Sequence, residues 1–279
     1  MTSELSPLAQ ERLAYRRSRA RRSTLIALAS TVVFAVALVV GVTSTPGWPR
    51  VQATFLDPAI AVSSLPAILA GLWLNIRVLV VTEIGVLALG LLIAMLRTLR
   101  GPVFFPLRAL ATGYVDLFRG MPLLIALYLI GFGVPALRLQ GVPTSAAVLG
   151  TITLILIYSA YVAEVFRAGI ESIHPSQRAA ARSLGLNHRQ SMRLVILPQA
   201  VRRVLPPLLN DFVALQKDVG LISVLGAVDA IRAAQIVSAR TFNFTPYVVA
   251  GLLFVLLAVP TGRIADAVAA RAARRQGST

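Results

Sequence analysis

The sequence contains no cysteine, which excludes disulfides and thiolate metal sites and leaves the redox compartment unreadable. It has only two histidines, His174 and His188, and neither belongs to an HExxH pattern; no metal site and no cofactor are expected. Lysine is nearly missing. Lys217 is the only one, so the chain has no Gly-x-x-x-x-Gly-Lys-[Ser/Thr] phosphate loop and is not itself expected to be an ATPase. Gly-x-Ser-x-Gly and Cys/His pairings are absent too, which leaves an intramembrane enzyme without support. Charge is scarce: 14% of residues are Asp, Glu, Lys or Arg, where a soluble domain carries roughly a quarter.

What is abundant is apolar. Hydrophobic residues make up 57% of the 279, the mean hydropathy is +0.77, and the excess is gathered in long runs. A single globular core could not absorb such runs, whereas a bilayer could. The net charge of +16 would suggest nucleic acid in a soluble protein. Here the arginines lie mostly between the apolar runs, where positive charge sets orientation, so no nucleic-acid partner is expected and membrane lipid is.

The pattern predicts an all-α integral membrane protein with about six transmembrane helices. Residues 23–49 carry no charge, and 25–42 form a first span, too long for the apolar region of a cleaved signal peptide. A helix over 58–74, interrupted by Pro58 and Pro66, is expected to lie on the outer surface and lead into a second span at 75–96. The others are placed at about 110–133, 145–166, 205–228 and 243–262. About 20 residues cross a hydrocarbon core of about 30 Å. Arginine is rich in the N-terminal arm (1–24), between spans two and three, between spans four and five, and in the tail (266–279). Arg50, Arg138, Arg232 and Arg240 fall on the other side. With six spans the rich segments share one face, so both termini are expected in the cytoplasm.

Between spans four and five lies a hydrophilic loop, 168–205, with helix punctuation of its own. Pro175 suits a first helical turn, residues 177–184 have high helix propensity, and Gly185 suits a C-terminal cap. Asn187 and Gln190 form a capping-box-like pair opening a second helix, which is expected to stop at Pro198. A short exposed helix ending near Leu184 and Leu186 looks built for a partner's groove.

The run SQRAAARSLGLNHRQSMRLVILPQA (176–200) resembles the EAA loop of ATP-binding-cassette importer permeases. That pattern is Glu-Ala-Ala, three residues, Gly, then about nine residues to Ile-x-Leu-Pro. This sequence supplies Ala179-Ala180-Ala181, Gly185 and Val195-Ile196-Leu197-Pro198. The resemblance extends to residues 114–135, 161–173 and 205–226, covers about 70–265, and is to the polar amino acid (histidine/glutamine-type) branch. It leaves the 25–42 helix as an addition to a five-helix type I importer core.

The resemblance implies a permease subunit that forms the translocation pathway. It also implies partners: two ATPase subunits, a second permease (identical or homologous), an extracytoplasmic substrate-binding protein, and a polar amino acid as substrate. Coupling to the ATPase would fall on Ala179, Ala180, Ala181, Leu184, Gly185, Leu186, Leu197 and Pro198. Two departures stand out. Ala179 replaces the first acid of the motif, and Lys217-Asp218-Val219-Gly220-Leu221 replaces the usual Lys-Asp-Thr-Ser-Leu, removing two hydroxyls. An ATP-independent secondary transporter or channel is the alternative.

An ionisable side chain at mid-bilayer costs about 2.5–3.5 kcal/mol and normally faces protein or water. Glu83, Asp116, Glu164, Asp211 and the Lys217/Asp218 pair qualify. Asp116 with Arg119, and Glu164 with Arg167, are spaced to pair locally near the cytoplasmic end, although Glu164 is also kept as a pathway candidate. Lys217 and Asp218 lie deeper, flanked by Gly220 and Gly226, where a broken helix could expose them to a small zwitterion; an ion pair at a subunit interface is the other possibility. Asn210 and Ser223 are secondary pathway candidates. Neutralising either member (Lys217→Gln or Asp218→Asn) is expected to lower uptake before it lowers co-purification of the ATPase. Equal loss of assembly in both variants would favour the interface instead.

Overall fold

The structure is a computed structural model that describes residues 7–99 and 101–276. Arg100 and the extreme ends of the predicted arm and tail lie outside the described residues, as do the side chains of Arg12, Arg16, Arg17, Arg21, Arg178, His188, Arg274 and Arg275. All the regular elements among the described residues are helices. Four helices are long and apolar enough to cross a membrane, and two bent helix pairs raise the number to six if each is one span.

The chain divides into two units, ending and beginning at Leu56 and Asp57. The first holds α1 (Pro7–Thr43) and α2 (Trp48–Phe55). Within α1, Arg22–Thr43 is long and apolar enough to cross a membrane, and every side chain along it is exposed. Its hydroxyls are turned inward onto the backbone: Thr31 donates to Ala27 O at 2.7 Å and Thr43 to Val39 O at 2.8 Å. That removes the desolvation cost a free hydroxyl would incur in lipid.

The second unit opens with α3 (Pro58–Thr98). Asp57 caps it, accepting from Ala59 N at 2.9 Å and Ile60 N at 3.2 Å, with Pro58 in the first turn. The expected surface helix at 58–74 is not separate: α3 runs unbroken through Pro66. Loss of one backbone hydrogen bond at Pro66 is tolerated because apolar side chains, Ile68 and Leu72 among them, pack the flanking turns.

The expected straight span at 110–133 is broken. A 3-10 turn (Pro102–Phe104) leads into α4 (Phe105–Gly120), and α5 (Leu123–Gly131) with the single turn α6 (Gly133–Ala136) leaves it at 107°. Pro122 is the cause. It excludes Met121 from helical geometry, and Met121 is extended at φ −92°, ψ 128°. Then α7 (Ala146–Glu171) crosses in one piece.

The loop after α7 holds α8 (Pro175–Ser183) and α9 (His188–Ser191). The second loop helix does not stop at Pro198. A π turn, Met192–Ile196, carries it into α10 (Leu197–Asp218). Within that turn the Leu197 N–H donates to Met192 O, which shifts the register at the residue before the one that lacks an N–H. A 3-10 segment, Val219–Leu225, ends at Gly226 in the left-handed region (φ 90°). The expected fifth span at 205–228 therefore starts earlier and breaks at its end, and α11 (Ala230–Thr241) departs at 50°. The last helix, α12 (Thr245–Gln276), extends past the expected 243–262.

Close crossings of small residues hold the unit together, as expected where lipid offers no hydrophobic drive between helices. A β-carbon on Gly90 of α3 would press on Val162 of α7, at 2.8 Å from its Cγ1. The space beside Gly71 is filled by the Asp229–Ala230 backbone. One turn further on, Asn75 ties α3 to the break before α11. Its amide donates to Val219 O at 3.2 Å and to Asp229 Oδ2 at 3.0 Å, while its Oδ1 accepts from Ala230 N at 3.1 Å. Asp229 is fully buried and also caps α11 through Arg232 N. The main apolar core, with Val86, Leu154, Leu215 and Ile222, lies where α3, α7, α10 and the 3-10 segment meet.

Gly71→Val drives a side chain into backbone rather than into a mobile neighbour, so it should destabilise by about 1–3 kcal/mol. The check is the unfolding midpoint in detergent. Gly251→Val, with no atom within 4 Å of the added carbon, is the control and should leave the midpoint unchanged.

Candidate functional site

Two regions are candidates for function, a cavity at the broken third span and the loop between α7 and α10. The cavity, about 460 Å³, is lined by residues 119–123 at the α4/α5 break, by Ile157, Tyr158 and Tyr161 of α7, and by Asp211, Ala214 and Asp218 of α10. The break opens it. Between two helices bent by 107° the backbone cannot close over the space, and irregular backbone at membrane depth is tolerated only where it lines such a cavity.

The Tyr158 hydroxyl donates to Asp218 Oδ2 at 2.7 Å. The Arg119 guanidinium lies over the Tyr161 ring, 5.7 Å from its centroid. Asp211 Oδ2 is buried with no hydrogen-bond partner in the protein, and Glu83 is close enough to feel the Asp211 charge. The walls therefore offer two carboxylates, a guanidinium and two phenols against apolar surface, which matches the few polar groups a zwitterion needs.

Of the pathway residues expected from sequence, only Asp218 lines this cavity. Lys217 and Asn210 are exposed elsewhere on α10, and Ser223 is half-buried in the 3-10 segment. Asp116 and Arg119 do not pair: Asp116 is exposed, and Arg119 turns toward Tyr161 because α4 ends one residue later. Glu164 does pair with Arg167, and Arg97 of α3 joins them at 2.6 Å, with Arg167 reaching on to Glu171 at 2.5 Å. Tyr158, Tyr161, Asn75 and Asp229 were not singled out from sequence, and Arg119 only as a partner for Asp116. Of these, Asp229 had a readable signal, an acid three residues after the left-handed-prone Gly226 and just before a helix.

The loop is anchored rather than free. His174 caps α8, its Nδ1 accepting from Ser176 N at 3.2 Å. At the other end Gly185 N donates to Arg182 O at 2.9 Å and Leu186 N to Ala181 O at 3.2 Å, with Gly185 at φ 78°. This is a Schellman cap, which needs a left-handed residue. Asn187 and Gln190 exchange side-chain-to-backbone hydrogen bonds at 2.9 and 3.0 Å, the predicted capping box. Ile173, Ile196 and Ala200 form a small buried core between the loop and the two spans, and Arg203 donates to Ser172 O. At the base, a β-carbon on Gly169 would fall on Val204.

Of the expected coupling residues, Ala181 is buried inward and Leu186 half-buried, while Ala179, Ala180, Gly185, Leu197 and Pro198 are exposed. Leu184 is 80% exposed. A large apolar side chain on the tip of a fastened polar loop is unfavourable unless something covers it.

The family described as "binding-protein-dependent transport system inner membrane component" matches residues 86–274, two-thirds of the chain and both regions above. The chain belongs to that family. Relatives include the probable glutamine ABC transporter permease protein GlnM of Bacillus subtilis, 38% identical over 184 residues (65% of this chain, 82% of the relative). The arginine transport system permease protein ArtQ of the same organism is 32% identical over 203 residues (72% and 90%). Among solved structures, an amino acid ABC transporter crystallised with histidines superposes with a TM-score of 0.70 at 32% identity, covering 77% of this chain and 99% of that one. The MetNI methionine ABC transporter, at 19% identity and a TM-score of 0.57, shares the fold.

As a member of this family the chain is a membrane-embedded transport component, and its cavity invites a direct test. A hydrogen bond to a charged group contributes about 1.5–3 kcal/mol. If Asp218 must be held toward α7 for substrate to pass, Tyr158→Phe should slow uptake about tenfold while insertion and yield stay unchanged. Initial rates in proteoliposomes measure this, and an unaltered rate would detach the cavity from transport.

Proposed function

We propose that the chain is the membrane-spanning permease subunit of an ATP-binding-cassette importer for polar amino acids in the bacterial inner membrane. Family membership across residues 86–274 and the amino-acid permeases among its relatives support this reading. The observation that carries it is the fastened loop with Leu184 at its tip. In this reading α8 docks in a groove of a separate ATPase subunit, and the joints to α7 and α10 carry ATP-driven closure to the cavity. A rigid element joined to two spans can bias an inward-open against an outward-open arrangement.

The assembly holds two permeases, the same or homologous, and two ATPases, and is fed by an extracytoplasmic binding protein. The arginine distribution supports a cytoplasmic loop and cytoplasmic termini. Residues 70–265 form the permease core, and helix 25–42 is an added anchor. The cavity of Asp211, Asp218, Tyr158 and Arg119 is the midpoint of the pathway. Glu164 stands one step along α7 from it, and Lys217, Asn210 and Ser223 line later stages of the conformational cycle. No ATP is hydrolysed by this chain.

The test is uptake in proteoliposomes containing the permease, its ATPase and its binding protein. Uptake should require ATP and ignore imposed ion gradients. Gly185→Leu adds strain of about 1 kcal/mol at a left-handed residue and, more important, puts bulk where α8 docks. Among the described residues, no atom apart from its chain neighbours lies within 4 Å of the added β-carbon, so the backbone strain is the main cost to the fold. It should abolish ATP-coupled uptake with insertion intact, and wild-type uptake would remove the loop from the mechanism.

A further inference from the structure

One intramembrane cation takes no part in the cavity or the loop. Arg77 stands on α3 twenty residues before Arg97, on the same unbroken helix. At 1.5 Å per residue they are about 30 Å apart, the thickness of the hydrocarbon layer. Arg97 marks one boundary, where α3 ends in the ion-pair chain to Glu164. Arg77 therefore reaches the opposite one. Its side chain is exposed, and among the described residues it makes no ion pair and no hydrogen bond. Trp73, four residues earlier on the same face, is exposed as well, as an aromatic side chain at a membrane–water interface commonly is.

Beside Arg77 a groove of about 450 Å³ opens between α3 and α7. Its walls include Val78 and Val81 on one side and Ile152 and Ile155 on the other, and Arg77 is the only charged residue in the lining. Thr151 does not disturb this, since its hydroxyl is spent on Ala147 O at 2.7 Å. Along α7 the lining runs from Ala147 to Ile155, about 12 Å of rise, which is most of the depth of one leaflet. A cation at the rim of a membrane and a hydrocarbon-lined slot descending from it match two parts of one molecule. A water-soluble anion would use the first and leave the second empty.

We infer that this groove is a binding site for a glycerophospholipid with an anionic headgroup, its phosphate on Arg77 and one acyl chain between α3 and α7. The charge complementarity is specific. A guanidinium at the rim stands at the level of the headgroups, where a phosphate can accept two of its hydrogen bonds. The inference rests on α3 and α7 crossing the bilayer, and neither the substrate nor the ATPase enters it. Because α7 also walls the substrate cavity through Tyr158 and Tyr161, a lipid seated here packs against the helix that carries them.

The full chain is reconstituted in nanodiscs of phosphatidylcholine with a minority of phosphatidylglycerol, released into detergent, and its retained lipid identified by native mass spectrometry. The wild type should retain phosphatidylglycerol in preference. Arg77→Gln should lower that retention about fivefold and erase the preference, and Arg77→Lys should keep most of it. Ile152→Trp, which fills the slot, should lose both lipids alike; if it fails to fold, the two Arg77 variants decide. Equal retention by wild type and Arg77→Gln overturns the inference. So does ready disulfide formation between two copies of Arg77→Cys, which would assign this face to a second copy of the chain.

Discussion

The crossing of α7 and α10 at Gly169 is the constraint on which the rest depends. Val204 fills the space a β-carbon would need there, so its side chain is seated directly against the α7 backbone. Just beyond the crossing, Ile173, Ile196 and Ala200 close a small core, and Arg203 fixes the turn at Ser172. A loop that only set topology would gain nothing from such fastening. Because α7 carries Tyr158 and Tyr161 and α10 carries Asp211 and Asp218, any displacement of the loop reaches both walls of the cavity through two continuous helices. In lipid, packing and satisfied polar groups are the means of making such a joint stiff.

The two breaks are the complement of that stiffness. One follows from Pro122 and leaves the backbone open at 120–123; the other follows from Gly226 and is held by Asn75 and the buried Asp229. At the second, Asn75 pairs with Val219 O and Ala230 N, and Asp229 with Arg232 N, so side chains take up backbone groups that the break leaves without helical partners. The second joint is made of amide and carboxylate hydrogen bonds among buried groups, whereas the Arg97–Glu164–Arg167–Glu171 chain at the other end of α3 is partly exposed. The spans are thus pinned at one end by a dry network and at the other by a wet one.

Much of this was legible in the sequence because it rests on local signals. The caps at Pro175, Gly185, Asn187 and Gln190 are set by residues within a turn of each other, and they form as expected. Four spans follow from run length, six if each bent pair is one, and the family follows from four motifs in order. What was not legible depends on distant partners or on the fate of prolines. Pro122 breaks a span while Pro66 and Pro198 do not, because neighbouring turns in α3 are packed and a π turn precedes Pro198. Hydropathy cannot distinguish these cases. Arg119 turns to Tyr161 instead of Asp116, and Asn75 meets Asp229 across more than 150 positions, neither of which periodicity can anticipate. Arg77 was overlooked because a single charge barely lowers the hydropathy of a long run.

The π turn at Met192–Ile196 also carries an implication for how the loop is aimed. A π turn is one residue wider than an α turn, and one residue of helix corresponds to about 100° of azimuth and about 1.5 Å of rise. The heading of the segment before it, including α9 and the tip at Leu184, is therefore not dictated by the helical phase of α10. Deleting one residue inside the bulge would leave Pro198 and everything after it in place while swinging the tip to another compass bearing. Length in this short stretch sets direction.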